Sequence, residues 1–141
     1  MKNYKLLNHT ADIRVEVWGK TRKELFANAL AAMFDVMIDI PDDEKIKALE
    51  EKTVKITGND LEDMLINFLR EALYLFNGQG WLIKSCESVE LTGRIIVARL
   101  QGELYNRQKN PLKTEIKAVT YHGLMINKSK KSWQAKVVLD V

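Results

Sequence analysis

Two short stretches, one near each end of the chain, carry the residues best suited to chemistry. Residues 8–12 read Asn-His-Thr-Ala-Asp and lead directly into a strand pattern, and the chain finishes with Leu139, Asp140 and Val141. A carboxylate where a strand begins, just after a His and a Thr, is well placed to bind a ligand. The alternative is that Asp12 and Thr10 only hydrogen-bond turn amides, as Asp and Thr commonly do. The residues alone favour this second interpretation.

Asp12 and Asp140 both fall on polar faces of predicted strands, because apolar residues alternate with other residues along 13–18 and 133–141. If these strands pair near the start of the first, both side chains and the terminal carboxylate of Val141 converge. Like charges so placed repel, and a hard divalent cation such as Ca²⁺ or Mg²⁺ would relieve the repulsion. A nearby Lys117 is the metal-free alternative, and the residues leave both open.

Two amphipathic helices should position these strands. Residues 21–24, Thr-Arg-Lys-Glu, have the form of a capping box, and apolar residues then recur at spacings of three and four until Pro41 closes the helix. The turn at 58–60 supplies an N-cap for a second helix, whose apolar face runs from Leu61 to Phe76 and which stops at Asn77-Gly78. The charged connection 41–51 is interpreted as a solvated linker.

Strand patterns occupy most of the remaining sequence. They are expected near Ile13, at 53–57, and at 81–91, 94–104, 115–126 and 133–141, mostly joined by short turns. On the fifth of these, Lys117 alternates away from Ile116 and Ala118, which are expected inside. The pattern predicts an α+β domain over residues 1–141, with a largely antiparallel β-sheet and two amphipathic helices packed on one face.

Composition excludes several classes of protein. The chain has 141 residues, a net charge of +3 and 46% hydrophobic residues, which is typical of a globular domain and not of a disordered chain. The lone Cys86 excludes an internal disulfide and, with two histidines, a thiolate-rich zinc site. No apolar run approaches the length of a membrane span, and the first residues do not form a signal peptide. A cytoplasmic protein without a membrane role is expected.

The charge is unevenly distributed between the two halves. Residues 1–70 carry 11 basic and 13 acidic side chains, whereas residues 71–141 carry 11 and 6. A mildly basic second half could favour a phosphate-bearing or acidic partner. Solvated surface is the favoured interpretation, and direct sequence-specific binding of nucleic acid is not expected. Serine-elbow, phosphate-loop and zinc signatures do not occur in the sequence.

Taken together, four motifs resemble the archease family over nearly the whole chain. They are His-Thr-Ala-Asp at 9–12, Trp18-Gly19 before a Thr-capped helix containing Met33-Phe34, the run 115–122, and the terminal Leu-Asp-Val at 139–141. The resemblance implies an accessory protein for the RtcB-type RNA ligase of tRNA splicing. Such a protein promotes guanylylation of the ligase and its repeated turnover, and can widen its nucleotide preference. It is not itself an enzyme and has no catalytic residue of its own.

The resemblance also implies a set of site residues. The family's metal-binding positions map onto Asp12, Asp140 and the terminal Val141, and its functional lysine maps onto Lys117. The expected ion is Ca²⁺, with Mg²⁺ and Mn²⁺ as alternatives. His9 and His122 are candidate partner contacts, although a structural role is the favoured interpretation of His122.

The sequence departs from the family pattern at Asn8, where an acidic residue usually precedes the histidine, and this removes one carboxylate near the site. Two other functions are weighed. The first is a chaperone or modulator of RNA-modifying enzymes such as tRNA or rRNA methyltransferases. The second is a small metal-dependent phosphohydrolase built on Asp12 and Asp140, which is ranked last because two-metal phosphodiesterases normally need more ligands.

Overall fold

The computed structural model describes residues 3–8, 12–41 and 50–141 of the chain. Its elements, in chain order, are β1 (Tyr4–Asn8), β2 (Asp12–Gly19), α1 (Arg22–Met37), β3 (Glu50–Thr57), α2 (Leu61–Asn77), β4 (Trp81–Thr92), β5 (Ile95–Leu104), β6 (Ala118–Lys128) and β7 (Trp133–Asp140). Within these residues, neither helix is long and apolar enough to cross a membrane.

The strands form two antiparallel sheets. One has the order β1-β2-β7-β6 and the other has the order β3-β5-β4. Each helix contacts strands of both sheets: α1 lies against β2 and β4, and α2 lies against β6 and β4. The helices therefore cover one face of each sheet, and the predicted antiparallel α+β class is confirmed. Division of the strands into two sheets is the feature that the sequence pattern did not reveal.

Side-chain caps fix where both helices begin. The hydroxyl of Thr21 accepts a hydrogen bond from the backbone amide of Glu24 at 3.1 Å, and Asp60 accepts from the amide of Asp63 at 2.8 Å. Each cap satisfies an amide that has no partner inside its helix, and such caps stabilise a helix by about 1 kcal/mol. Both predicted N-caps are therefore confirmed.

The core lies where the two helices meet the sheets. Phe26 of α1 stacks on Phe68 of α2 with 6.2 Å between ring centroids, and Phe34 meets Phe76 edge to face at 6.1 Å. In the smaller sheet, β4 and β5 approach so closely at Gly102 that a Cβ there would lie 2.1 Å from the carbonyl oxygen of Leu82. Only glycine fits at that position.

Several predicted boundaries need correction. Strand β1 was not predicted, because its adjacent Leu6 and Leu7 break the alternation of apolar and polar residues. The predicted linker at 41–51 ends earlier than expected, since Glu50 and Glu51 already pair with Gly102 and Gln101 as the start of β3. Residues 42–49 of that linker lie outside the described residues.

The start of β6 also differs from the prediction. Residues 114–117 precede the strand, which begins at Ala118, so the alternation of side chains starts three residues later than expected. Ile116 is fully buried, as predicted. Ala118 is exposed, contrary to the prediction, and the buried position of the new register is Val119.

Candidate functional site

Asp12 and Asp140 lie directly opposite each other. The antiparallel register of β2 and β7 pairs the two residues across the ladder, at the end of the sheet where β2 begins and β7 ends. Directly opposed residues project from the same face of a sheet, with Cβ atoms about 4.5–5.5 Å apart. The last strand therefore pairs at the start of the Ile13 strand, which is the condition that the sequence prediction required.

The surroundings of the two carboxylates differ. Asp140 is exposed and Asp12 is half-buried. One carboxylate oxygen of Asp12, Oδ1, is inaccessible to solvent, and among the residues that the structure describes it receives no hydrogen bond. A buried carboxylate oxygen without a donor is unfavourable, unless a cation or another donor satisfies it. This oxygen of Asp12 is therefore one that a cation could satisfy.

Lys117 adjoins this pair through its backbone. Its amide donates to the carbonyl oxygen of Asp140 at 2.7 Å, and the following residue, Ala118, is the β6 partner of Asp140. The side chain of Lys117 is exposed. Among the described ion pairs, none joins Lys117 to Asp12 or Asp140 within 4.0 Å, so the lysine does not neutralise the carboxylates in this conformation.

Helix α2 holds the segment that carries Lys117. The side-chain amide of Asn77 donates through Nδ2 to the carbonyl oxygen of Ile116 at 3.1 Å, and Nε of Arg70 donates to that of Val119 at 3.0 Å. These two bonds fix the backbone on either side of Lys117. Lys117, Arg70, Asn77 and the exposed Tyr74 line an open hollow of about 360 Å³ between α2 and the start of β6.

A third contact from α2 reaches the next residues of β6. The hydroxyl of Tyr121 donates to a carboxylate oxygen of Asp63, and the guanidinium of Arg70 lies 4.8 Å from the centroid of the Tyr121 ring. The hydrogen bond from Tyr121 is the main reason why the pKa of Asp63 is lowered, and the same bond raises the pKa of Tyr121. Tyr121 is therefore bound to α2 through both its hydroxyl and its ring.

His122 lies apart from Asp140, at an interruption in the strand pairing. His122 is exposed in an irregular part of β6, where the pairing with β7 is interrupted between Thr120 and Met125, and its amide donates to the hydroxyl of Thr120 at 2.8 Å. It lines a separate hollow with Arg14, Glu16 and Lys136. His9 lies outside the described residues.

Oxygen atoms are the donors that this end of the sheet offers to a metal ion. Val141 follows Asp140, is half-buried and packs against the hydrophobic core. The side chains of Asp12 and Asp140 carry hard oxygen donors of the kind that Ca²⁺ and Mg²⁺ prefer. In the described parts of the chain there is no cluster of three or more His, Cys, Asp or Glu side chains suited to a metal ion.

Sequence reasoning missed Arg70 and Asn77. Both lie on α2, far in sequence from the segment that they bind, and neither belongs to a recognisable motif. The available signal was weak: two polar side chains seven residues apart lie near one face of a helix, which is the spacing needed to reach one neighbouring strand.

Known proteins resemble this chain over nearly its whole length. Residues 4–141 match the Archease protein family (MTH1598/TM1083). The protein archease of Methanosarcina mazei is 41% identical over 99% of this chain and 97% of its own length, and that of Pyrococcus abyssi is 34% identical over the whole of both chains.

Two solved structures have the same fold. The solution structure of Methanobacterium thermoautotrophicum protein 1598 has a TM-score of 0.80 at 28% identity and covers both chains completely. The crystal structure of an archease from Thermotoga maritima, described as a possible chaperone, has a TM-score of 0.64 at 24% identity and covers 97% of this chain and 96% of its own. With a family match that spans nearly every residue and relatives above 30% identity over their full length, this chain belongs to the archease family.

Proposed function

We propose that this protein activates an RtcB-type RNA ligase of tRNA splicing by promoting guanylylation of the ligase, through a divalent cation held between Asp12 and Asp140. The observation that carries the proposal is the direct opposition of the two carboxylates, one of which has a buried oxygen without a donor. Membership of the archease family, described for one relative as a possible chaperone, supports an accessory role.

The cation would be bound by the carboxylates of Asp12 and Asp140 and by the terminal carboxylate of Val141, with Ca²⁺ as the expected ion and Mg²⁺ and Mn²⁺ as alternatives. When bound, it supplies positive charge that neutralises the carboxylates and can attract phosphate oxygens. Asp12 and Asp140 hold this charge at the extreme end of the sheet, where a partner's active site can reach it. The site then acts by presenting charge to a partner.

Lys117 supplies a second positive charge beside the first. Its backbone is bound to Asp140 on one side and held by α2 on the other, while its ammonium group is solvent-exposed and is not used in an ion pair with the site carboxylates. We propose that it contacts a phosphate of the guanylylated ligase or of the incoming nucleotide. Arg70 and Asn77 would then be positioning residues for Lys117, since they fix the backbone that carries it.

An accessory role fits the number of ligands better than a hydrolase does. Two-metal phosphodiesterases surround a pair of ions with several carboxylates and histidines. Here two acidic side chains meet, and within residues 3–8, 12–41 and 50–141 no larger cluster is found. The proposal therefore includes no catalytic residue, a cytoplasmic location beside the ligase, and an indirect part in tRNA processing.

The second candidate function is a chaperone or modulator of other RNA-modifying enzymes, such as tRNA or rRNA methyltransferases. The description of the Thermotoga maritima relative as a possible chaperone favours it. Co-purification from the native cells separates the two candidates, because recovery of a methyltransferase in place of the ligase would support the second.

The proposal is tested by incubating this protein with its cognate ligase, GTP and a divalent metal, and measuring the ligase–GMP adduct. We expect the protein to increase the yield of adduct over repeated turnovers. At the lowest metal concentration that saturates the wild type, Asp12→Asn and Asp140→Asn should each remove most of this increase, whereas Asp39→Asn, which changes an exposed carboxylate elsewhere, should retain it. Equal activation by all four proteins would contradict the proposal.

A further inference from the structure

The end of the four-stranded sheet opposite to Asp12 and Asp140 is strongly basic. There, β2 and β6 end beside the start of β7, with Gly19 paired to Trp133 and Trp133 paired to Lys128. Five exposed basic residues surround this row, and we name them together the basic end: Lys20, Arg22, Lys128, Lys130 and Lys131. The eight residues of β2 place it about 23 Å from Asp12, at about 3.3 Å per residue.

The charge of the basic end is not neutralised by neighbouring carboxylates. Between Glu115 and Asp140 the sequence has five lysines and no acidic residue. Two lysines near this end do form ion pairs, Lys23 with Glu90 and Lys136 with Glu16, and we leave them out of the basic end for that reason. Among the residues that the structure describes, no carboxylate pairs with the five that remain.

The lysines at the tip of this end are held by an ordered turn. The amide of Ser129 donates to the carbonyl oxygen of Ser132 at 2.8 Å, and the two hydroxyls lie 3.2 Å apart. Lys130 and Lys131 are the two residues between them. Lys128 lies over the ring of Trp133, with Nζ 5.3 Å from its centroid. The positive charges are therefore displayed from a fixed backbone.

An aromatic side chain flanked by amides lies beside the basic end. On the polar face of the sheet, Trp18 is the partner of Gln134, which is the partner of Asn127. Trp18 is half-buried, and its backbone is fixed on both sides, because its amide donates to Asn3 at 3.0 Å and its carbonyl accepts from Asn28 at 2.8 Å. An indole with two amide groups in the same row can stack on a base and hydrogen-bond to its edge.

We propose that the basic end and Trp18 bind single-stranded nucleic acid, with Lys130 and Lys131 of the turn contacting phosphates and Trp18 stacking on one base. Unpaired lysines beside an aromatic platform are the combination that binds single strands without sequence preference. This binding surface is separate from the carboxylate site. Nucleic-acid binding would be a function additional to the proposed activation of a ligase. It is also consistent with the expectation that the protein does not recognise a specific nucleotide sequence.

Fluorescence anisotropy with a labelled single-stranded oligouridylate tests the proposal. We expect Lys130→Glu/Lys131→Glu to weaken binding at least tenfold and to reduce the slope of log K against log salt by about 1.4, since each phosphate contact on a single strand contributes about 0.7. The control is Lys55→Glu/Lys113→Glu, which has the same net charge but changes exposed lysines elsewhere. Equal weakening by both pairs would overturn the proposal, because it would show that only net charge matters.

Substitutions of Trp18 provide the second test of the proposal. Trp18→Leu should weaken binding at least fivefold at unchanged salt slope, and Trp18→Phe, which keeps an aromatic platform, should restore most of the affinity.

Labelled polyglutamate serves as the competing probe for an acidic protein partner. If polyglutamate binds as tightly as the oligouridylate and the Trp18 variants have no effect, the surface is one for acidic protein and the proposal is wrong. Adduct formation without RNA should be unaffected by Lys130→Glu/Lys131→Glu, so this proposal and the proposed activation fail separately.

Discussion

Asp12 faces Asp140 across the β2–β7 ladder, and the first of these residues has a carboxylate oxygen that is buried and receives no hydrogen bond within the described part of the chain. Opposed like charges destabilise an antiparallel pair. The opposed carboxylates of Asp12 and Asp140 should therefore lower the free energy of unfolding of the metal-free protein. The proposed cation, if bound between them, would offset this repulsion.

Asp12→Asn should therefore stabilise the protein in the presence of a chelator, raising the free energy of unfolding by about 0.5 kcal/mol, because it removes one of the opposed charges. In saturating Ca²⁺ the order should reverse, since only the wild type gains the stabilisation that ligand binding confers. Urea unfolding with and without Ca²⁺ measures both values. A large loss of stability in chelator would instead show that Asp12 has a structural role in the turn.

Lys117→Met distinguishes two roles for the lysine. If Lys117 contacts a phosphate, the variant should bind metal with unchanged affinity and fail to activate the ligase. If it balances the carboxylates, metal affinity should rise when its charge is removed, because a competing cation is lost. Calorimetric metal titration and the adduct assay are run on the same preparations, with Lys113→Met as the control. Full activation by Lys117→Met would remove Lys117 from the site.

The carboxylate of Val141 is tested by extending the chain. Added C-terminal residues replace it with a neutral peptide carbonyl while every side chain is retained, so metal binding should weaken if that carboxylate is a ligand. An N-terminal extension of the same length is the control. Metal affinity and activation equal to those of the control would show that water or other groups complete the site.

Strand β1 is bound to α1 by a hydrogen bond from the Tyr4 hydroxyl to Asp35 at 2.7 Å. Burial, and then this bond to a carboxylate, raise the pKa of Tyr4 to about 12 from an ordinary value of 10.0. At a pH between these two pKa values, Tyr4 has lost its proton in the unfolded chain and keeps it in the folded chain. The free energy of unfolding should therefore fall as the pH rises through this range. Tyr4→Phe should show a smaller fall when the free energy of unfolding is measured across it. An identical fall in both proteins would contradict the assignment.

Local chemistry made much of the fold predictable. The side chains of Thr21 and Asp60 cap amides only three residues further along the chain, so both partners of each hydrogen bond can be recognised in a short stretch of sequence. Alternation along β2 and β7 likewise indicated which face would carry Asp12 and Asp140. The register that places them opposite each other was a condition in that argument, and the structure supplies it.

Interactions between distant segments could not be predicted in the same way. Strand alternation alone misplaced Ala118, because the chain is held in an irregular path at 114–117 by bonds to α1 and α2 that no local pattern encodes. Arg70 and Asn77 were missed for the same reason. The basic end was visible only as an excess of lysines until the pairing of Gly19, Trp133 and Lys128 brought two segments together.

The most direct test of the account is the yield of ligase–GMP adduct measured against metal concentration, for the wild type and for Asp140→Asn. This substitution removes one charge and nearly preserves shape, so we expect a curve displaced to higher metal concentration that reaches a similar plateau, because binding follows mass action. A curve that coincides with that of the wild type would contradict the claim that Asp140 holds the cation through which this protein acts.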